Sequence, residues 1–299
     1  MTTTVLRGRS LAASAITLAV LAAGCGSDDT EPSAGGTTTG GSETTTTAPS
    51  DTTTAADEQP GANLERGPVV TVGEGEASAF VTVDAEDNPR EVGIRITEDA
   101  LEGLPDDPDA PPTVWTLELP ESAGSTMFNH VSLDWASGGH EPPGLFDKPH
   151  FDMHFFMIDE TDVAEIMPTD PEFTAKAANL PDEPYMPEGY VVPPEPPIEM
   201  QGVPNMGVHW LDSADELVPG EYVFESTLIM GSWDGEFIFV EPMITREWLL
   251  GKPSLEQDIP QPEAFTRDGY FPTTYSVEFD EETSEYVITL GGLEERSSE

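Results

Sequence analysis

The chain has 299 residues, and 58 Asp and Glu against 11 Lys and Arg give a formal net charge of −47. This acid excess argues against nucleic-acid binding and against a polybasic anchor on anionic lipid, because both need clustered basic side chains. The single cysteine excludes an intramolecular disulfide and a multi-cysteine zinc site, and the 29 prolines and 27 glycines argue against a long helical bundle.

Residues 1–25 have the pattern of an export signal. Arg7 and Arg9 precede an apolar run from Leu11 to Ala23, which is too short for a transmembrane helix and suits a secretory h-region. Small residues then precede Cys25, the only cysteine, which resembles a bacterial lipoprotein signal. We expect lipidation of Cys25 and a protein held on the outer face of the cytoplasmic membrane. Stable anchoring needs two or more acyl chains, such as palmitate.

Residues 26–62 are predicted to form a disordered tether. They consist largely of Thr, Gly, Ser, Ala and acidic residues, so they have almost no apolar surface to bury. A flexible chain of this length has a root-mean-square reach of roughly 30–37 Å. The tether would hold a folded domain away from the membrane.

Residues 63–299 are predicted to fold as one domain of strong negative charge. This segment has 51 acidic and nine basic residues, a net charge of −42. Such a surface repels itself, and salt screens that repulsion. The charge favours a halophilic or haloalkaliphilic source, and an ordinary acidic secreted domain is the alternative.

Alternation of apolar and polar residues predicts a mainly β, β-rich α+β fold, with antiparallel sheets in a sandwich-like or barrel-like domain. Proline-rich loops are expected at Pro105–Pro112 and Pro181–Pro197, because proline is excluded from central strands. The predicted strands are Ala77–Asp84, Glu91–Thr97, Thr113–Leu119, Asn129–Trp135, His150–Ile158, Tyr222–Ile229, Glu236–Glu241, Thr274–Phe279 and Tyr286–Leu290. A few short helices are predicted at Glu98–Leu104, Asp162–Met167, Pro171–Leu180 and Thr245–Leu250.

The histidine-rich strand beginning at His150 is the main chemical signal. His150, Asp152 and His154 alternate with apolar residues, so all three project from one face while the other face enters a core. Imidazole and carboxylate groups suit Zn²⁺ or a similar divalent ion. The two histidines are about 13 Å apart on a flat strand, which is too far for one shared ion unless the strand bends.

Other segments supply further candidate ligands. His140 and Glu141 lie in a loop rich in glycine and proline, and His209 follows Gly207. The candidate metal ligands are therefore His140, His150, His154 and His209, with Glu141, Asp152 or Glu241. Three histidines and one carboxylate would suffice for a site, for example His140, His154 and His209 with Glu141, Glu199 or Glu241.

Each candidate also has a structural alternative. Asp152 could simply orient a neighbouring imidazole, and His130 is expected to be a hydrogen-bonded structural residue. If the domain is an enzyme, Glu141 and Glu241 are the candidates for a general base. The sequence contains no nucleophile elbow, P-loop or Rossmann glycine pattern.

Five sequence blocks in combination resemble the TTHB210-like family, a domain of unknown function. The resemblance covers most of residues 68–290 and implies a β-rich, self-associating domain of secreted or lipid-anchored bacterial proteins, without an established activity. The blocks are Phe128–Trp135, Gly139–Pro142, Pro149–Phe155, Met206–Trp210 and Gly235–Met243.

These observations predict a lipid-anchored extracytoplasmic domain that binds a divalent metal ion, most readily zinc, through clustered histidines. The first alternative is a metal-dependent hydrolase or lyase. The second is a metal-free oligomeric structural or interaction module. The expected partners are the membrane, through Cys25, and further copies of the chain, with no nucleic acid.

Overall fold

The computed structural model describes residues 63–299, so the predicted signal and tether lie outside the described residues. Within that range, no helix has both the length and the apolar character needed to cross a bilayer. In chain order the strands are β1 (Asn63–Arg66), β2 (Val70–Val72), β3 (Gly75–Val83), β4 (Pro89–Thr97), β5 (Thr113–Glu118), β6 (His130–Ala136), β7 (His150–Phe156), β8 (Tyr190–Val191), β9 (Val208–Asp212), β10 (Ser226–Trp233), β11 (Glu236–Thr245), β12 (Leu255–Asp258), β13 (Gly269–Phe271), β14 (Thr274–Asp280), β15 (Glu285–Gly291) and β16 (Glu294–Arg296). The α-helices are α1 (Glu160–Glu165), α2 (Phe173–Ala178) and α3 (Arg246–Leu249).

The strands form two seven-stranded antiparallel sheets and one additional pair. The first sheet has the order β1-β3-β4-β15-β14-β12, with β2 also paired to β3. The second sheet has the order β5-β6-β7-β11-β10-β9-β8, and β13 pairs with β16. Both sheets have edge strands, so they remain open. The predicted mainly β fold is confirmed, and its sandwich-like form is the one observed in the described residues.

A single apolar core joins the two sheets because strand residues alternate between faces. Phe151, Met153 and Phe155 of β7 belong to the same buried cluster as Ile94 of β4 and Ile288 of β15. The inner face of the second sheet is therefore apolar. Its opposite face, called the outer face below, presents the alternate residues of β7.

A second apolar cluster covers the outer face. Phe156 and Phe239 extend from the sheet, while Leu145 and Phe146 come from the loop before β7 and Phe224 from the loop before β10. These loops exclude solvent from polar side chains on the outer face. The burial of those polar groups shifts their pKa values, as described below.

The bounds of most predicted elements shift in the structure, as two examples show. The strand predicted at Tyr222–Ile229 begins only at Ser226, and the preceding residues form a loop that places Phe224 over the outer face. The helix predicted at Glu98–Leu104 is a short 3-10 turn over Glu98–Leu101.

The expected exclusion of proline from central strands was wrong at Pro242. This residue lies within β11 and pairs with Leu228 of β10. On the β7 side, the described pairing skips Glu241 and Pro242, resuming at Met243 opposite Asp152. Proline has no N–H to donate to a ladder, so the strand accommodates it where the pairing is interrupted, directly beside Glu241.

Candidate metal centre

Five neighbouring strands of the second sheet bring polar side chains together on the outer face. In the β6–β7 pair, Asp134 lies opposite Asp152 and Ser132 lies opposite His154. Glu241 comes from β11, which pairs with β7. His209 of β9 lies opposite Gly231 of β10.

The first group consists of His140, His150 and Asp152, each offering a ligand atom within 4.8 Å of the others. The Asp152 carboxylate lies between the two rings, with Oδ1 2.9 Å from His150 Nε2 and Oδ2 3.3 Å from His140 Nε2. The second group consists of His154, His209 and Glu241, whose ligand atoms also lie within 4.8 Å of one another.

The hydrogen bonds of the first group leave both Nε2 atoms facing the carboxylate. His150 Nδ1 is 2.6 Å from the Lys148 carbonyl and His140 Nδ1 is 2.8 Å from the Glu141 carbonyl. A carbonyl oxygen only accepts, so each Nδ1 is the donor. In the described part of the chain, His150 Nε2 and Asp152 Oδ1 make no hydrogen bond despite their proximity. Two acceptors this close require a cation or an additional proton between them.

The second group has the spacing of tetrahedral metal ligands. His154 Nε2 is 3.4 Å from Glu241 Oε1, and His209 Nε2 is 3.5 Å from Glu241 Oε2. Zinc bonds of about 2.0–2.2 Å place two tetrahedral ligands about 3.3–3.6 Å apart. Among residues 63–299, both ring nitrogens of His154 and Glu241 Oε2 have no hydrogen-bond partner.

A glycine and a bulge position the aromatic ring beside the second group. A Cβ at Gly231 would lie 1.9 Å from the Phe239 ring, so only glycine leaves room for it. The ring then lies 4.9 Å from the ring of His154 and 5.1 Å from that of His209, between centroids. The β10–β11 register shifts after Gly231, which places Phe237 in the inter-sheet core. Phe237 therefore lies in the inter-sheet core, whereas Phe239 lies in the apolar cluster on the outer face.

Gly139 allows the loop before β7 to return over the sheet. Its φ of +71° is favourable for glycine, and a Cβ there would lie 2.1 Å from the Phe146 carbonyl oxygen. The next residue, His140, donates its backbone N–H to that carbonyl at 3.2 Å. This closure places the His140 ring 4.7 Å from the His150 ring, between centroids.

Burial keeps the second group's histidines neutral. It lowers the pKa of His154 to about 4 and that of His209 to about 3, so both rings retain a lone pair for a metal. Burial, together with the charges of Asp152 and Asp134, raises the pKa of Glu241 well above its ordinary value.

The first group has the opposite balance of charge. Burial alone would raise the pKa of Asp152, but His150 and His140 lower it below its ordinary value. Burial opposes protonation of His140, while the Asp152 carboxylate beside its ring raises its pKa overall. Burial and the charge of Asp152 raise the pKa of Asp134 to about 7. This group therefore combines an ionised carboxylate with two imidazoles.

Each group reaches solvent mainly through one histidine. The His140 side chain is 37% exposed and the His209 side chain is 22% exposed, whereas those of His150, His154 and Glu241 are at most 2% exposed. Three protein ligands leave one tetrahedral position unfilled.

The structure divides the predicted single site into two. His140 joins His150 and Asp152 rather than His154 and His209, because its loop returns to the start of β7. The described residues therefore do not bring His140 together with His154 and His209 as one set of ligand atoms.

The carboxylates proposed for that single site also separate. The side chains of Glu141 and Glu199 are exposed and belong to neither group, whereas Glu241 is buried within the second. His130 lies outside both groups, where it stacks on Phe156.

Asp134 is the buried residue that the sequence analysis missed as part of the site. It is 1% exposed and lies opposite Asp152. The sequence did contain a signal for this placement. Asp134, Ser132 and His130 are alternate residues of β6, so they share the face opposite its apolar side chains.

Comparison with protein families supports the predicted resemblance. Residues 84–135 match the TTHB210-like family, described as "Hypothetical protein TTHB210". This segment runs from the β3–β4 turn to β6 and includes Asp134, while the histidine-bearing blocks after β6 lie beyond it. Comparisons with curated proteins and with solved structures found no match.

Proposed function

We propose that this protein binds divalent metal ions, most readily zinc, through the two groups on the outer face of the second sheet. The observation that carries the proposal is the set of buried ligand atoms that face one another without a hydrogen bond in the described residues. These atoms are His150 Nε2, Asp152 Oδ1, His154 Nε2 and Glu241 Oε2. Buried polar groups are normally hydrogen-bonded, and an ion bound in each group would satisfy the atoms of that group.

The ligand chemistry and the surface charge both favour a divalent cation. Neutral imidazoles and carboxylates match the preferences of zinc. The net charge of −42 over residues 63–299 raises the local cation concentration around the domain.

We also propose that the domain lies outside the cytoplasmic membrane, anchored by lipid on Cys25. The apolar run and small residues before Cys25 support this placement. The domain would then capture or hold extracytoplasmic metal. Mass spectrometry of the membrane-extracted chain tests the anchor: the mature N-terminus should be acylated Cys25, and an unmodified Cys25 would contradict it.

The unfilled fourth position in each group supports a second candidate function, a metal-dependent hydrolase or lyase. Zinc bound to three protein ligands activates water by lowering its pKa to about 7. A panel of esters, phosphoesters and carbonate hydration should then show activity that His154→Ala or His150→Ala removes. A flat panel with zinc demonstrably bound would favour metal holding alone.

The metal proposal is tested by zinc content in the purified full-length chain after reloading and buffer exchange. The unaltered protein should retain zinc, and His154→Ala and His150→Ala should each lower the content. His130→Ala is the matched control and should leave the content unchanged. Absence of zinc after reloading would favour the metal-free oligomeric module.

A further inference from the structure

The buried ring of His154 offers one nitrogen to the second group and turns the other toward Asp134. Its Nε2 lies 3.4 Å from Glu241 Oε1, and its Nδ1 lies 3.8 Å from Asp134 Oδ2. The His154 side chain is 1% exposed, and within residues 63–299 its Nδ1 has no hydrogen-bond partner. Buried polar atoms normally have one, so this nitrogen lacks an acceptor that the neighbouring carboxylate can supply.

The first group shows how the fold fixes an imidazole for a metal. Nδ1 of His140 and Nδ1 of His150 each donate to a backbone carbonyl, those of Glu141 and Lys148. A neutral ring that carries its proton on Nδ1 keeps a lone pair on Nε2. His154 lies within β7, and no carbonyl of the described residues accepts from its Nδ1. A side chain is the remaining source of an acceptor.

Ser132 fixes the Asp134 carboxylate on the side of His154. The Ser132 hydroxyl donates to Asp134 Oδ1 at 2.6 Å. Ser132 lies opposite His154 in the β6–β7 pair, so Asp134 is diagonal to the imidazole, a position within reach of a longer side chain. Because Ser132 occupies Oδ1, Oδ2 is the oxygen left to accept from Nδ1.

The separation of 3.8 Å is longer than a hydrogen bond. Hydrogen bonds at functional sites are often long in the unliganded protein and tighten when the ligand is bound. A metal on Nε2 of a neutral ring leaves the ring proton on Nδ1, which then faces Asp134 as a donor. A carboxylate in that position fixes the ring orientation and raises the basicity of the ligand nitrogen.

We propose that Asp134 is a positioning residue for the second group: it accepts the Nδ1–H of His154 and thereby keeps Nε2 free for the divalent ion. This inference rests on the proposed metal binding of that group. Asp134 acts through the imidazole and does not contact the ion. It has no role in the first group, where backbone carbonyls hold the Nδ1 atoms of His140 and His150.

Asp134→Asn in the full-length chain reverses this hydrogen bond while keeping the shape of the side chain. The Ser132 hydroxyl retains the amide oxygen at the position of Oδ1, so the amide nitrogen faces His154 Nδ1 and donates to it. The ring proton then moves to Nε2, the nitrogen that the second group uses. In a His150→Ala background, where zinc binding depends on the second group, Asp134→Asn should weaken binding at least about tenfold in a calorimetric titration.

The same substitution should leave zinc affinity unchanged in a His154→Ala background, where binding depends on the first group. The titrations are run above the pKa of about 7 that burial gives Asp134. An unchanged affinity in the His150→Ala background, or an equal loss in both backgrounds, would overturn the positioning role. Glu118→Gln, at an exposed carboxylate of β5, is the control and should alter neither affinity.

Nitrogen-15 NMR of the unaltered, zinc-loaded chain avoids dependence on variant folding. The His154 ring, assigned by its absence from His154→Ala, should carry its proton on Nδ1, and that proton should exchange slowly with solvent. A proton on Nε2, or a rapidly exchanging Nδ1–H, would overturn the positioning role with metal binding intact. A chain that binds no zinc would overturn the proposed function and the positioning role with it.

Discussion

Replacing Glu241 with methionine should stabilise the ion-free domain and destabilise the zinc-loaded one. Glu241 is 1% exposed, and its Oε2 makes no hydrogen bond within residues 63–299. A buried polar group without a partner costs about 1–3 kcal/mol. Methionine has a similar length and no such group, so the free energy of unfolding of the ion-free protein should rise by about that amount.

The zinc-loaded protein should change in the opposite direction because the variant lacks one ligand of the second group. An ion present at 100 times its dissociation constant stabilises the folded state by about 2.7 kcal/mol. Glu241→Met should lose most of this contribution. For a domain of this size, each kcal/mol corresponds to about 2–4 °C in melting temperature.

Thermal unfolding followed by circular dichroism, in chelator and in excess zinc, measures both effects. Glu236→Met is the control because it lies on the same strand with its side chain 54% exposed. Its exposed ion pair with Arg267 contributes at most about 1 kcal/mol, so the stability of this variant should fall by no more than that in either condition. A lower melting temperature for ion-free Glu241→Met would show that the carboxylate is satisfied without an ion. That result would refute the reasoning.

Three other measurements examine pH, packing and salt. Burial raises the pKa of Glu241 well above its ordinary value and that of Asp134 to about 7. Above about pH 6.5, where unfolded histidines are mostly neutral, the folded state therefore binds more protons than the unfolded state. The free energy of unfolding of the ion-free protein should then fall as the pH rises. Excess zinc should remove that fall, and a rise in ion-free stability over the same range would contradict the assignment. Gly231→Ala should lower the free energy of unfolding by about 1–3 kcal/mol and reduce zinc content, because the new Cβ collides with Phe239. Gly124→Ala is the control, since its Cβ would meet open space, and it should change neither quantity. If denaturation and zinc assays gave the same result for both variants, Gly231 would not be needed to position Phe239. The melting temperature should rise between 0.1 and 1 M NaCl because salt screens the charge of −42, and a flat response would contradict a stability limited by self-repulsion.

Local patterning was sufficient to predict several central strands and, in β7, the face that is buried between the sheets. In β7, alternation of His150, Asp152 and His154 with large apolar residues indicated a strand with one face in the core. The structure places Phe151 and Met153 in the inter-sheet cluster. By contrast, β9 (Val208–Asp212) is short, and it forms through pairing with β10 and β8. Sequence alternation does not encode these pairings.

The division of the site was only partly predictable. The rise of a strand separates His150 from His154, and the two residues do fall in different groups. The partner of His140 depends on how its loop packs through Phe146, a tertiary contact without a local signature. Asp134 was difficult to recognise because 58 acidic residues surround the few functional candidates in sequence, and its distinguishing property is burial.

The central claim is that the buried histidines and carboxylates of the second sheet bind metal. Anomalous X-ray scattering from zinc-loaded crystals of the full-length chain, measured on both sides of the zinc absorption edge, tests it most directly. We predict one zinc peak within bonding distance of His154, His209 and Glu241, and another within bonding distance of His150 and Asp152. Zinc peaks confined to exposed acidic side chains, with neither group occupied, would contradict the claim.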